Sequence, residues 1–384
     1  MKKQHLAILG STGSIGLQAL DIAREHPGDF EIHTLTANTS WQKLAEQINE
    51  FKPKIAVIGE SYATDELKST ARKHNTALLN GQEELANIVE QPEIDTVLNA
   101  LVGFAGFLPT VNALKAGKKV ALANKESLVV GGAVINNILE TCEGTLVPVD
   151  SEHSAMLQSI VGENYSNIEK IIVTASGGPF RTWSYEDMKK ITVDEALNHP
   201  NWSMGAKITV DSSTMMNKGL EIIETHWLFD LPLSQIDAVV HAESIVHSIV
   251  TYIDGSSKAQ LGPPTMKVPI QYALTYPQRL DLSVPRLDWS EAFTMHFEPI
   301  DYQRFPCIKL AIDAIKNGGI APAVLNAANE IAVARFLSGD INYLEIAEVV
   351  DKSLSSMSAL DTDGLSVGFL QEIDFKTREY ANSV

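Results

Sequence analysis

The chain has 384 residues, 45% of them hydrophobic, which is long enough for two or three domains with their own cores. A count of 30 Lys and Arg against 48 Asp and Glu leaves a net charge of −18 with no basic block, which excludes a broad nucleic-acid or anionic-membrane surface but permits a local basic pocket for a small phosphate. The two cysteines, Cys142 and Cys307, exclude a disulfide frame or CxxC metal site, no apolar run approaches the ~20 residues of a membrane span, and no targeting segment stands out, so a cytoplasmic protein is expected.

The first segment, HLAILGSTGSIGLQALDIAREH, predicts a strand over 6–9, a turn with Gly10, Gly13 and Gly16, and an amphipathic helix. Strand, glycine turn and helix is the order of a dinucleotide fold, in which bare backbone and a helix N-terminus receive a pyrophosphate. The GxxGxxG spacing is one residue longer than the usual GxGxxG, and a glycine turn without a ligand is the competing reading. EIHTLTA, KIAVIGE, DTVLNALVG, KKVALANK and GTLVPVD follow as apolar runs between helical segments, the pattern of a parallel sheet. Residues 1–149 are therefore expected to form one doubly wound domain with six strands. Its second strand ends in Thr36, Ala37 and Asn38, with no acid for a ribose 2′-hydroxyl, which favours NADP over NAD.

At the end of the sixth expected strand, VPVDSEHSAML carries Asp150 and Glu152. On an extended backbone, both carboxylates face one side and His153 the other. Such a pair repels without a cation, so a divalent metal is one reading and an exposed acidic helix cap the commoner one. VTASGGPF leaves the next strand through Ser176, Gly177 and Gly178, either a phosphate loop or a tight turn. HPNWSMG places His199, Trp202, Met204 and Gly205 in a loop, where a tryptophan suits a lid as well as a core.

KITVDS reads as a short strand ending at Ser212, and MMNKGLEIIETHWLF as a helix. On that helix Asn217 and Glu221 are i,i+4 neighbours and Lys218 lies i,i+3 from Glu221, so the three share a face. An exposed Lys218–Glu221 ion pair is the bland alternative. Asp150, Glu152 and Glu221 together offer oxygen and no thiolate, a hard set for Mg²⁺ or Mn²⁺, with Co²⁺ also allowed. IDAVVH and HSIVTYI extend a catalytic domain over 150–275, and Pro277, Pro285 and Pro299 mark 276–301 as a linker. Four helical segments over 302–384 predict a small bundle, with LNAANEIAVARF read as plain helical core.

GSTGSIG, LANKESLV, VDSEHSA, ASGGPF, HPNWSMG, DSSTMMNKGLE, AQLGPPTMKVPI and LNAANE stand in this order over residues 10–330, and the chain so resembles the 1-deoxy-D-xylulose 5-phosphate reductoisomerase family. The resemblance implies an α/β protein with a Rossmann-like NADP-binding domain, an α/β catalytic domain with a flap loop and a C-terminal helical bundle, assembled as a homodimer. It implies NADPH contacts at Thr12, Gly13, Ser14, Ile15, Asn38, Asn124, Glu126 and Gly205. Asp150, Glu152 and Glu221 correspond to metal ligands, with Ser151 and Glu152 also near the substrate. Lys125, Ser176, His199, Ser212, Asn217 and Lys218 correspond to the phosphate and substrate pocket, and Trp202 with Met204 to the flap. Some members carry Lys where Ala37 stands.

The implied reaction is a metal-dependent retro-aldol and aldol rearrangement of 1-deoxy-D-xylulose 5-phosphate, followed by NADPH reduction to 2-C-methyl-D-erythritol 4-phosphate in the non-mevalonate isoprenoid route. Lys125, Glu152 or metal-bound water are the candidate proton carriers. An ordinary NADP-dependent dehydrogenase with structural carboxylates and a nucleotide-sensing regulator are the rival readings. The three acids, retained together with Ser176, Ser212, Asn217 and Lys218, count against both.

Overall fold

The computed structural model describes residues 3–200, 202, 204–357 and 364–384. Two compact units divide the chain: Met1–Asn124, Ile135–Asp150 and Thr265–Val284 form the first, and Lys125–Val134, Ser151–Pro264 and Pro285–Val384 the second.

The first unit alternates strand and helix: β1 (Gln4–Leu9), α1 (Ser14–Glu25), β2 (Phe30–Thr36), α2 (Trp41–Phe51), β3 (Ile55–Ile58), α3 (Asp65–Lys73), β4 (Ala77–Asn80), α4 (Gln82–Asn87), β5 (Thr96–Asn99), α5 (Phe107–Lys115), β6 (Lys119–Leu122), α6 (Lys125–Thr141) and β7 (Thr145–Pro148). Helix α6 starts in the second unit and ends in the first. The strands form one parallel sheet in the order β4-β3-β2-β1-β5-β6-β7. Helices cover both faces of such a sheet, so its central strands read as unbroken apolar runs; Leu6, Ala7, Ile8 and Leu9 of β1 are all fully buried. Strand order reverses between β1 and β5, which opens a crevice at their carboxyl ends.

Six strands were expected here and seven are present. The additional one, β4, is an edge strand whose four residues, Ala77 to Asn80, are exposed or half-buried, so it carries no apolar run to betray it.

In the second unit, α7 (Ser151–Ile160) precedes β8 (Ile168–Ala175), the short α8 (Tyr185–Met188) and α9 (Val193–Ala196), then α10 (Ala206–Ser213), α11 (Met216–Phe229), β9 (Ile236–Val240), β10 (Val246–Tyr252) and β11 (Ser257–Leu261). The chain returns to the first unit for α12 (Lys267–Thr275), then adds β12 (Glu298–Pro299), α13 (Pro306–Asn317), α14 (Ala321–Ser338), α15 (Glu345–Met357) and α16 (Val367–Ser383) to the second. The sheet runs β11-β10-β8-β9-β12, with β8 and β9 parallel and the other neighbours antiparallel. The four carboxyl-terminal helices fall where helical spacing put them. α13 lies close against α11, because a Cβ at Gly219 would stand 2.5 Å from Ala311 Cβ. Phe180, Phe336 and Tyr343 meet edge to face in the core beneath.

Two local expectations are corrected. KITVDS is not a strand: it forms helix α10, in which Lys207 and Asp211 pair at i,i+4 and Thr209, Val210 and Asp211 are buried. Tertiary packing here overrides the β-propensity of Ile, Thr and Val. Nor does extended backbone link Asp150 to Glu152, since α7 begins at Ser151. His153 accordingly turns inward along a helix rather than to the far face of a strand.

Candidate active site

In the first unit, the β1–α1 turn leaves its backbone bare. Gly10 has φ +78°, and a Cβ there would stand 2.7 Å from the Ala100 carbonyl oxygen; a Cβ at Gly16 would stand 2.4 Å from Gly10 O. Glycine is thus required for the turn to sit against the β5 loop and for α1 to approach it. Gly13 caps α1 without any side-chain hydrogen bond, Gly13 and Ser14 are exposed, and Thr12 and Ile15 are half-buried. The first amides of a helix have no intrahelical acceptor, and those of α1 are suited to the phosphates of a dinucleotide. Gly10 N–H donates to Thr36 Oγ1 at 2.9 Å, which spends the Thr36 hydroxyl on the fold and leaves Asn38 as the exposed residue after β2. Asn124 is buried after β6 and donates to the Leu101 and Gly103 carbonyls.

In the second unit, helices α6, α7 and α11 send charged side chains toward one another. Lys218 donates to Glu152 Oε1 at 3.1 Å and forms a closer ion pair with Glu221. Lys125 Nζ lies 2.7 Å from Asn217 Oδ1 and 3.4 Å from Glu221 Oε1, and Asn217 Nδ2 donates to the same oxygen at 2.5 Å. These are not surface pairs: the side chains of Glu221, Lys218 and Lys125 are 1%, 4% and 6% exposed. Glu152 and Glu221 bring oxygens within 4.8 Å of one another, with the Lys218 ammonium pairing to both. Two carboxylates converging on one positive charge is a donor set that fits a hard divalent cation. Ser151 Oγ donates to Glu152 Oε2 at 2.6 Å, and His153 Nε2 donates to the Glu221 carbonyl at 3.0 Å, holding α7 to α11.

A second polar group lies around the turn after β8. Trp202 N–H donates to His199 Nδ1 at 3.0 Å, so the neutral ring carries its proton on Nε2 and donates to Ser176 Oγ, also at 3.0 Å. Burial pushes the His199 pKa down, favouring that neutral ring. Ser176 Oγ accepts from Gly178 N–H as well, at 3.3 Å, which directs its own hydroxyl proton outward as a donor for an anion. A Cβ at Gly178, where φ is +65°, would stand 2.8 Å from Ser212 O, so this turn lies directly on the end of α10 that carries Ser212. Trp202 and Met204 are half-buried and Gly205 is exposed; Asn201 and Ser203 of the same loop lie outside the described residues. The Trp202 ring sits edge to face with His247 at 6.4 Å, and burial lowers the His247 pKa although Glu152 opposes this.

Residue spacing did not single out two participants. His247 is one of several polar residues in strand β10, and Lys207 reads as the first residue of a short expected strand. Lys207 in fact donates to Glu126 at 2.7 Å and pairs with Asp211 at 2.9 Å. Burial works against the Glu126 charge, but the Lys207 ammonium holds that carboxyl below its usual range.

These features define a two-part α/β protein in which a dinucleotide-type sheet accompanies a buried acidic and lysine-rich centre. The chain belongs to the 1-deoxy-D-xylulose 5-phosphate reductoisomerase family, whose profile matches residues 6–132; the C-terminal domain profiles of that enzyme match residues 146–229 and 261–380. It is 49% identical over 377 residues to the 1-deoxy-D-xylulose 5-phosphate reductoisomerase of Chloroherpeton thalassium, covering 98% of this chain and 97% of that one. The Bacillus subtilis enzyme is 46% identical over 382 residues, 99% of each chain. Among solved structures, a DOX-P reductoisomerase in complex with NADPH, fosmidomycin and magnesium superposes with a TM-score of 0.94 at 41% identity, covering 99% of this chain and 98% of that one. The Zymomonas mobilis enzyme in complex with NADPH gives 0.92 at 40% identity, over the same shares.

Proposed function

We propose that the chain converts 1-deoxy-D-xylulose 5-phosphate to 2-C-methyl-D-erythritol 4-phosphate, with NADPH as reductant and Mg²⁺ or Mn²⁺ as the metal. The observation that carries this reading is the convergence of Glu152, Glu221, Lys125, Lys218 and Asn217 in one buried centre. Asp150, directly before α7, joins Glu152 and Glu221 as the ligand set. When bound, the cation supplies a Lewis acid for the ketone and hydroxyl oxygens, and NADPH supplies the hydride.

The chain's own residues do the rest. Ser176, Ser212, Asn217 and Lys218 hold the phosphate and His199 orients Ser176, so a rearranging carbon skeleton stays anchored at one end. Lys125 lies within hydrogen-bond reach of Asn217 and next to Glu221, which supports it, with Glu152, as a candidate proton carrier. Ser151 fixes the direction of Glu152. Trp202 and Met204 cover the site and exclude water. On the cofactor side, Thr12, Gly13, Ser14 and Ile15 receive the pyrophosphate, with Asn38, Asn124, Glu126 and Gly205 completing the contacts.

A homodimer in the cytoplasm is the assembly proposed. The dimer is supported by the exposed apolar residues Trp289, Phe293, Met295 and Phe297, which stand close together in sequence; light scattering of the purified chain tests it. Among the described residues no helix is long and apolar enough to cross a membrane. The activity is tested by incubating purified protein with 1-deoxy-D-xylulose 5-phosphate, NADPH and Mg²⁺ and identifying the product by NMR. A branched C-methyl skeleton is expected; a reduced but unbranched product would mean an ordinary dehydrogenase.

A further inference from the structure

The geometry points to Lys207 as a positioning residue that fixes the carboxyl-terminal end of the 199–205 loop to the helix that carries Lys125. Gly205 is the N-cap of α10 and Lys207 the second residue of that helix. Its ammonium reaches Glu126 on the first turn of α6 at 2.7 Å and Asp211 one turn along α10 at 2.9 Å, and its side chain is only 17% exposed. Asp211 in turn accepts from Asn329 Nδ2 of α14 at 2.8 Å, and Tyr343 donates to the Ser213 carbonyl at 2.6 Å. α10 is therefore tied at its far end to the helical core and at its near end, through one lysine, to the α6 turn.

That arrangement has a mechanical consequence. A loop can close reproducibly only if the segment it leaves from is held still, and Gly205 is the residue through which the 199–205 loop joins α10. Lys207 also draws the Glu126 carboxylate toward α10, which sets the direction of the α6 turn and so of the adjacent Lys125. Burial alone would disfavour the ammonium, yet Asp211, Glu126 and Glu330 together hold it above the ordinary lysine range, so the ion pairs that form the clamp are charged at neutral pH. The inference rests on the proposed roles of Lys125, Glu126 and Gly205, but the clamp itself is a property of the free protein.

The test compares wild type, Lys207→Arg, Lys207→Met and the double variant Lys207→Met/Glu126→Gln, which removes one charge of each sign and cuts the α10–α6 link, leaving Asp211 to Asn329. Hydrogen exchange of residues 204–209 in the ligand-free protein should accelerate about tenfold or more in both Met variants and stay near wild type in Lys207→Arg, an estimate in line with local opening of one helix end. Turnover should follow: kcat falls by about one to two decades, the scale of misplaced catalytic groups, with a smaller change in substrate KM. Wild-type exchange and kcat in a double variant that melts with the wild type would overturn the clamp, as would an Arg variant as impaired as the Met variants. If wild type itself makes no branched product, the functional reading fails instead, while the exchange comparison still decides the clamp.

Discussion

Replacing Glu221 with Gln should have two separable consequences, one visible without any metal. In the metal-free protein the Glu221 carboxylate neutralises buried ammoniums: Lys218 pairs with it directly, Lys125 lies 3.4 Å away, and Asn217 donates to it at 2.5 Å. Gln keeps the shape and removes the charge. Breaking a buried pair from one side typically costs ~3–5 kcal/mol. Glu152 remains on Lys218 at 3.1 Å, so the loss should lie at the lower end, about 3 kcal/mol by the same rule. The second consequence concerns the metal. A ligand at about a hundredfold excess over its Kd adds ~2.7 kcal/mol to stability through binding the folded state alone, and a site that loses one of three carboxylates while keeping two ammoniums should forfeit nearly all of that gain.

Urea unfolding followed by circular dichroism, in chelator and in saturating Mg²⁺ or Mn²⁺, separates the two effects. Wild type should show a metal-dependent rise in its midpoint; Glu221→Gln should start lower and show none. Turnover should fall with it, since a Lewis-acid cation contributes several kcal/mol to such a transition state. A metal-dependent rise of wild-type size in Glu221→Gln would refute Glu221 as a ligand, whatever its activity.

Lys218→Ala should raise the substrate KM by about one to two decades, since a charged hydrogen bond to phosphate contributes ~1.5–3 kcal/mol; steady-state kinetics checks it. Trp202→Ala should lower kcat/KM with NADPH affinity largely preserved, and in wild type a phosphonate substrate analogue should protect residues 204–205 from hydrogen exchange, equal protection in both states refuting a lid. NADPH should be preferred to NADH by kcat/KM, because Thr36 is spent on Gly10 N–H and neither Ala37 nor Asn38 bears the negative charge that would repel a 2′-phosphate. Burial pushes the Lys119 ammonium down to about 8, below its unfolded value of 10.5, so the stability it permits is complete above pH 10.5 and lost as pH falls through 8. Lys119→Met should therefore gain stability relative to wild type at pH 7 and lose that advantage at pH 10.5, even though Lys119 donates to the Leu274 carbonyl, as paired thermal melts would show.

What the chain discloses before folding is what depends on neighbours in sequence. β1 and its glycine turn were legible because a strand covered on both faces must be apolar at every position and because only glycine permits the approach of Gly10 to Ala100 and of Gly16 to Gly10. The face shared by Asn217, Lys218 and Glu221 was legible because helical geometry alone puts i, i+3 and i+4 together, and α11 is a helix. β4 was illegible for the converse reason, as an edge strand of exposed and half-buried residues has no pattern to show.

The failure at α10 shows where local reasoning stops. Ile208, Thr209 and Val210 favour a strand by themselves, yet the segment is helical because Lys207 and Asp211 meet only at helical spacing, and because their further partners, Glu126 and Asn329, lie 81 and 118 residues away. The same holds inside the active centre: Lys125 reaches Asn217 across 92 residues and Lys218 reaches Glu152 across 66. Spacing could name the groups that do chemistry, since carboxylates, lysines and a loop tryptophan advertise themselves. It could not name the groups that hold them in place, because a half-buried lysine between two acids looks in sequence like any solvated lysine. Positioning residues are defined by desolvation and by long-range partners, and both come into being only when the chain folds.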